Sequence, residues 1–229
     1  MERLVLFDID ETMISSDGAG RRAIARALAD MYGIDPSKVT LRMSGKTDPQ
    51  ILSEILKAAG MDEAEIKQNF DEMFELYISI LQDEVNKTNR YIVHPGVVEL
   101  LDKLAEHDLA YLGLLTGNIE LGARIKLNRF DLNRYFPLGA YGSDSADRMD
   151  LPAIATHRAK EHYKKDFVPS QVVIIGDSIY DVMCAKGFGA KSIAVNTGVT
   201  SRSDLEREKP DFLFPNLADT HALLQAIFS

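Results

Sequence analysis

Asp8 and Asp10 flank Ile9 at the end of the apolar run Leu4–Phe7. Asp177 follows Gly176 at the end of a second such run, Val172–Ile175, and Asp181 comes four residues after it. Gathered on one edge of a sheet, these carboxylates would repel one another and raise one another's pKa values. A hard divalent cation resolves that conflict, and Mg²⁺ typically takes one or two carboxylates, several waters and substrate phosphate oxygens. Each Asp could instead cap the helix that follows it, but that reading suits one such residue better than two on each of two strand ends. A metal-bound carboxylate cluster suits phosphoryl transfer: the cation neutralises non-bridging oxygens while a carboxylate attacks phosphorus. One of Asp8 and Asp10 can then be the nucleophile and the other the proton carrier. Thr116 offers a hydroxyl at another strand end, and the backbone N–H groups of Gly117 and Asn118 open a helix that favours anions. The same residues can serve as that helix's N-cap, a role compatible with phosphate binding.

Side chains so far apart in the chain meet only if a fold brings them together. Leu4–Phe7, Tyr111–Leu115, Leu138–Tyr141, Val172–Ile175 and Ser192–Val195 are short apolar runs without polar alternation, and Phe212–Phe214 is a sixth candidate. Strands covered on both faces of a parallel sheet read this way. Between them lie helical stripes: Val97, Leu100, Leu101 and Leu104; Ile179, Val182 and Met183; Leu223, Leu224 and Ile227. The alternation predicts an α/β fold with a doubly wound, Rossmann-like parallel sheet. Ligands of such sheets lie beyond the carboxyl ends of the strands, where the four aspartates, Thr116 and the segment after Tyr141 would converge.

One connection is too long for this pattern. From Asp8 to Tyr111 is about a hundred residues, where a right-handed crossover needs only a few tens. The excess is helical: Ile24, Ala27, Leu28 and Met31 form one stripe, closed by Gly33 as a C-cap. Ile66, Phe70, Met73, Phe74, Tyr77 and Leu81 form another, opening with Asp62, Glu63 and Glu65, which suit the positive end of the helix dipole. Residues 13–90 therefore read as a helical domain inserted into a core made of residues 1–12 and 91–229, with Pro95-Gly96 marking the return. Ser15, Ser16, Gly18 and Gly20 are small and flexible enough for a hinge.

The order Asp8-x-Asp10-x-Thr12, Thr116, a basic residue, and Gly176-Asp177-x-x-x-Asp181 resembles the haloacid dehalogenase-like hydrolases. The place of the insert is similar to that in the branch with a helical cap, which includes phosphoglycolate-phosphatase-like and β-phosphoglucomutase-like enzymes. The resemblance implies Asp8 as nucleophile and Mg²⁺ ligand. It implies Asp10 as general acid and then base, with its backbone carbonyl on the metal. Thr116 would bind the phosphoryl group, and Asp177 would complete the metal shell. Asp181 would ligate through water or hold the basic residue. Two departures stand out. Glu11 takes a place where Gly is common, and the third motif, Ser145 to Pro152, has no Lys. Arg148 is its nearest cation and can neutralise phosphate bidentately; Lys160, deep in the following helix, is the fallback. Within the resemblance Arg42, Lys46 and Thr47 fall in the cap and are candidate substrate contacts, with a solvated loop as the alternative. The presence of Asp10 argues against dehalogenase and phosphonate-cleaving chemistry.

The expected activity is a Mg²⁺-dependent phosphatase acting on a small phosphorylated metabolite through an aspartyl-phosphate. The alternatives are a β-phosphoglucomutase-like phosphotransferase and a weakly active regulatory or binding protein. Composition agrees with a folded enzyme: 229 residues, 45% hydrophobic and 27% charged. A formal charge of −9 argues against nucleic acid and anionic membranes as partners. A single cysteine, Cys184, fits a reducing compartment and reads as a small buried hydrophobe. With no apolar run near the ~18 residues of a membrane span and no secretory pattern at Met1-Glu2-Arg3, the expectation is a cytoplasmic monomer or small homo-oligomer.

Several local patterns are decoys. Gly45-Lys46-Thr47 looks like the tail of a P-loop, but Thr40 stands where its first Gly belongs and no strand precedes it. Gly187-Phe188-Gly189 lacks a third Gly. His157 and His162, five apart on a helix, cannot share a face to hold a metal. Arg21 and Arg22 read as an exposed helix start.

Overall fold

Leu4, Val5, Leu6 and Phe7 in β1 (Arg3–Phe7) are all fully buried although successive side chains point to opposite faces. In the computed structural model, which describes residues 1–35 and 43–229, Leu4 and Leu6 pack with Leu151, Ala155 and Ile174. Val5 and Phe7 pack with Val97, Leu101 and Leu127 on the other side. Sheet membership explains the burial. β1 lies between β4 (Ala110–Leu115) and β6 (Val172–Gly176), parallel to both, with Phe7 opposite Leu114 and Ile175. The sheet continues through β5 (Gly139–Ala140) beyond β4, and through β7 (Lys191–Val195) and β8 (Phe212–Phe214) beyond β6. All its pairings are parallel, and the six strands correspond to the six apolar runs. The third is the shortest, reduced to Gly139–Ala140 at the sheet edge.

Helices cover both faces. α5 (Val97–Ala105) buries the four stripe residues, Val97, Leu100, Leu101 and Leu104. α6 (Glu120–Asn128), α7 (Leu151–Tyr163) and α8 (Ile179–Phe188) follow β4, β5 and β6. In α8 the buried side is Val182, Cys184 and Ala185, while Met183 is 43% exposed, so the expected stripe is rotated by one residue. α9 (Arg202–Arg207) and α10 (Thr220–Phe228) complete the chain, with Leu223 and Ile227 of α10 fully buried.

Between β1 and β4 lie α1 (Ala19–Tyr32), α2 (Asp48–Ala58), α3 (Glu63–Gln68) and α4 (Phe70–Lys87). Gly33 ends α1 at φ 64°, its N–H bonding the Ala29 carbonyl at 2.9 Å while the next N–H, of Ile34, bonds the Leu28 carbonyl at 3.3 Å. The stripe expected as one helix from Asp62 to Leu81 is two. Asp62 and Glu65 form a reciprocal capping box at the start, but Asn69 breaks the helix at φ −105°. Its side-chain Nδ2 takes the Glu65 carbonyl at 2.8 Å, the acceptor a continuing helix would use. α2 went unread in the sequence, although Ile51, Leu52, Ile55 and Leu56 carry a helical stripe. A two-stranded antiparallel ribbon also appears, β2 (Ile14–Ser15) on β3 (Ile92–Val93), tying the entry to this segment to its exit. Two residues per strand are too few to show a period. α1 packs on α4, and one apolar cluster runs from Val5 and Phe7 through Leu28, Leu52, Tyr77 and Leu127. Among the described residues, no helix is long and apolar enough to cross a membrane.

Candidate active site

The register around β1 brings the strand ends together. Beyond Phe7 the Asp8 N–H still bonds the Ile175 carbonyl at 2.9 Å, so Asp8 stands beside the Gly176-Asp177 turn. On the other flank the Thr116 N–H bonds Ala140 at 3.0 Å, holding the end of β4 in line. Asp8, Asp177 and Asp181 are buried, and each offers a carboxylate oxygen within 4.8 Å of the other two. Burial pushes the Asp8 carboxyl up to about 6, with the Asp181 and Asp10 charges adding to it and Arg148 opposing. Burial, then Asp181 and Asp8, also raise Asp177 well above the carboxylate range. Gly198 is required here, since a Cβ on it would lie 1.8 Å from Asp177 Oδ2. An all-oxygen, mutually repelling donor set of this kind fits a hard divalent cation.

Asp10 lies outside that cluster. Its Oδ2 accepts from Lys126 Nζ at 2.6 Å and Asn118 Nδ2 at 2.8 Å, while Oδ1 has, among the described residues, only Ser16 Oγ at 3.4 Å. Burial would raise its pKa, but Lys126, Asn118 and Ser16 outweigh that and hold it below the usual carboxylate range. So the four expected carboxylates divide three to one, with Asp10 drawn to Lys126 and Asn118 and the other three grouped together.

Arg148 sits with the three. The first residue of a 3-10 turn leading into α7, it is 4% exposed. Its Nη2 is 3.2 Å from Asp8 Oδ1 and 2.5 Å from Asp181 Oδ1. Burial disfavours its charge, yet Asp181 and Asp8 together raise its pKa. Asp181 is shared: Oδ1 holds Arg148, while Oδ2 accepts from Ser178 N and Oγ in the capping box of α8. Asp181 therefore caps α8 and at the same time pairs with Arg148. Lys160 pairs instead with Asp166 at 2.6 Å, far out on α7.

Thr116 is fully buried, and its Oγ1 accepts from Asn118 N at 3.3 Å and Nδ2 at 2.8 Å. Gly117 has no room for a side chain: a Cβ would lie 2.2 Å from the Lys46 carbonyl. Thr116, Gly117 and Asn118 line a cavity of about 420 Å³ together with Asp8, Asp10 and Arg148. Of the candidate contacts in the helical segment, Arg42 lies outside the described residues. Thr47 is fully buried as the N-cap of α2, accepting from Gln50 N and donating to the Ala146 carbonyl at 2.8 Å, and is not among the residues lining the cavity. Lys46 does line it, with its Nζ 2.5 Å from Glu54.

Two buried charged residues that line the cavity, Lys126 and Asp48, were not read from the sequence. Lys126, 3% exposed, donates to Asn118 Oδ1 at 2.5 Å as well as to Asp10. The signal was a lysine on the buried side of α6, beside Gly122, Ala123 and Leu127. Asp48, the first residue of α2, is 6% exposed and accepts from the Ile119 N–H at 3.0 Å, while its own N–H bonds the Gly117 carbonyl at 2.7 Å. It thereby caps α6, which has no side-chain cap of its own. Burial raises its pKa to about 6 against the pull of Lys126.

A family model described as haloacid dehalogenase-like hydrolase matches residues 5–195. A phosphoglycolate phosphatase of Haemophilus influenzae is 26% identical over 232 residues, covering 97% of this chain and 98% of its own. One from Synechococcus elongatus is 27% identical over 228 residues, covering 97% and 96%. Among solved structures, a hydrolase from Pseudomonas syringae superposes with a TM-score of 0.71 at 22% identity, covering 99% of both chains.

Proposed function

This chain belongs to the haloacid dehalogenase-like hydrolases, and from that premise we propose that it is a Mg²⁺-dependent phosphatase of a small phosphorylated metabolite, working through an aspartyl-phosphate. The observation that carries the reading is the buried group of Asp8, Asp177 and Asp181 beside Arg148, of which Asp8, Asp177 and Arg148 line the cavity. Two full-length relatives are named phosphoglycolate phosphatase, which makes phosphoglycolate the first substrate to test.

Asp8, Asp177 and, through its backbone carbonyl, Asp10 would hold the cation, with Asp181 supporting the shell or Arg148. When bound, Mg²⁺ would neutralise phosphoryl oxygens and the charge shared by these carboxylates. Arg148 would share that load from the Asp181 side, and Thr116, Gly117 and Asn118 would seat the remaining phosphoryl oxygens. An Asp8 oxygen bonds to phosphorus as the bond to the leaving oxygen breaks, and Asp10, which must first take a proton from solvent against the pull of Lys126, gives that oxygen its proton. Water then bonds to phosphorus while Asp10 takes a proton from it, the Asp8–phosphorus bond breaks, and inorganic phosphate leaves. Residues 13–90 would form a cap over residues 1–12 and 91–229, with β2 and β3 at its two crossings. Asp48 and Lys46 would be its contributions to the cavity wall. A cytoplasmic monomer or small homo-oligomer is the setting that fits this reading.

Hydrolysis of phosphoglycolate, sugar phosphates and nucleotides with Mg²⁺, and with a chelator in its place, tests the proposal. Phosphate release that the chelator abolishes is the expected result. Asp8→Asn should lower kcat by about 10⁴-fold or more, the scale on which deleting a nucleophile acts. Undiminished turnover in that variant would remove Asp8 as the attacking group. Isomerised sugar phosphate forming faster than free phosphate would make the protein a mutase.

A further inference from the structure

A buried lysine needs a reason. Stripping an ammonium of water is costly unless it is paired, and fixing a long flexible side chain adds an entropic cost. Position 126 of α6, flanked by Ala123 and Leu127, would accept an apolar residue on packing grounds alone. The chain instead builds a slot for the ammonium. Gly20 of α1 leaves the space, since a Cβ there would lie 3.0 Å from Lys126 Nζ. The Tyr91 hydroxyl bonds the Lys126 carbonyl at 3.0 Å, fixing the backbone that delivers it.

The ammonium is spent on one carboxylate oxygen. Lys126 Nζ reaches Asp10 Oδ2 at 2.6 Å and Asn118 Oδ1 at 2.5 Å, and Asn118 Nδ2 closes the ring on the same Oδ2 at 2.8 Å. Among the described residues, Asp10 Oδ1 has the 3.4 Å contact with Ser16 Oγ alone. One oxygen is thus clamped by two donors and the other is left to exchange a proton.

We infer that Lys126 is a positioning residue for Asp10: with Asn118 it locks Oδ2 so that Oδ1 faces the cavity as the oxygen that gives and takes the reaction proton. The inference rests on the reading of Asp10 as general acid and base given above. It concerns orientation, and the chemistry stays that of Asp10.

The dependence of rate on the leaving group tests it. kcat/KM covers the steps up to cleavage of the first phosphorus–oxygen bond. p-Nitrophenyl phosphate expels a stable phenolate that needs no proton, whereas phosphoglycolate or glycerol 3-phosphate expels an alkoxide that does. With whichever alkyl phosphate the native chain turns over faster, Lys126→Met should lower kcat/KM by about 10²-fold, against less than about fivefold for p-nitrophenyl phosphate. Asp10→Asn should show the same selectivity, larger in size. The double variant should be no slower on the alkyl phosphate than Asp10→Asn alone, because both changes remove one function.

Gly20→Ala supplies a second probe that keeps both charges and suits a helix. Its methyl would press on the ammonium and shift it by a few tenths of an ångström, so a smaller loss confined to alkyl phosphates is expected. Equal losses on both substrate types in Lys126→Met and Gly20→Ala would overturn the inference, as would losses that multiply in the double variant. If Asp10→Asn itself shows no leaving-group dependence, the reading of Asp10 fails first.

Discussion

Glu11 turns the chain after β1 at φ 57°, a left-handed conformation that glycine adopts freely. A side chain there costs about 1 kcal/mol, which the Ser15 hydroxyl bond to Glu11 Oε1 at 2.9 Å and the Thr197 hydroxyl bond to its carbonyl help to offset. Glycine would relieve the strain but lose the Ser15 bond and about 0.5–1 kcal/mol of chain entropy. Glu11→Gly is therefore expected to change unfolding free energy by less than about 1 kcal/mol in a denaturant titration, and to leave turnover within a few-fold. Asp48 gives a pH signature of its own. Its folded pKa of about 6 lies above the ordinary carboxylate value, so the native state holds this proton more tightly than the unfolded chain does. Stability from this group is full below about pH 4 and is lost as pH rises through about 6. Asp48→Asn removes that loss and can still accept from Ile119. Its unfolding free energy relative to the native chain should rise across pH 4 to 7 by up to about 3 kcal/mol. A difference that stays flat over that range would mean that the Asp48 carboxyl is not raised.

Elements explain why some sequence patterns broke. The stripe from Ile66 to Leu81 is continuous in hydrophobicity, but a side-chain amide at Asn69 can satisfy a backbone carbonyl and let the helix end. Periodicity describes which side is apolar and is silent on such a local competitor. Thr47 shows the same limit. Its type and place beside Lys46 resemble a ligand contact, yet its hydroxyl is occupied at both ends, starting α2 and holding the Ala146 carbonyl. Thr47→Ala should cost about 1–2 kcal/mol of stability in thermal or denaturant unfolding. Thr47→Ser, which keeps the hydroxyl, should recover most of it. Because α2 presents Asp48 to the start of α6, the alanine variant should also raise KM more than it lowers kcat.

The molecule as a whole concentrates negative charge where it can least be solvated. Three buried carboxylates meet at the ends of β1 and β6 with one guanidinium between Asp8 and Asp181. A ligand that binds only the native state stabilises it by mass action, by about 2.7 kcal/mol at a hundred times its dissociation constant. Saturating Mg²⁺ is thus expected to raise the melting temperature of the native chain by several degrees near pH 7. A chelator should reverse the rise, and Asp177→Asn should abolish it. A melting temperature indifferent to Mg²⁺ would sink the assignment of this cluster to a cation. The same linkage extends to the helical segment, since one apolar cluster joins α1, α2 and α4 to the sheet face.

The amino-acid sequence alone determined the sheet, the place of the helical insertion and the aspartates at the strand ends. These rest on local rules: a buried parallel strand is a short unbroken apolar run, and its carboxyl end is where ligands lie. The positions of Asp8, Asp177 and Thr116 at strand ends were legible for that reason, whereas Arg148 came from the family resemblance. Tertiary structure alone decided how the charges are partnered. Asp10 meets Lys126 across 116 positions of chain, and Asp48 meets Ile119 across 71. Lys126 and Asp48 both stand on buried helix faces that the 3.6-residue period assigns to apolar packing. A pairing energy depends on distances of a few ångströms between chain-distant groups. No spacing along the chain encodes those distances, so the division of the carboxylates between a metal-type cluster and a lysine clamp emerged only when the chain was folded.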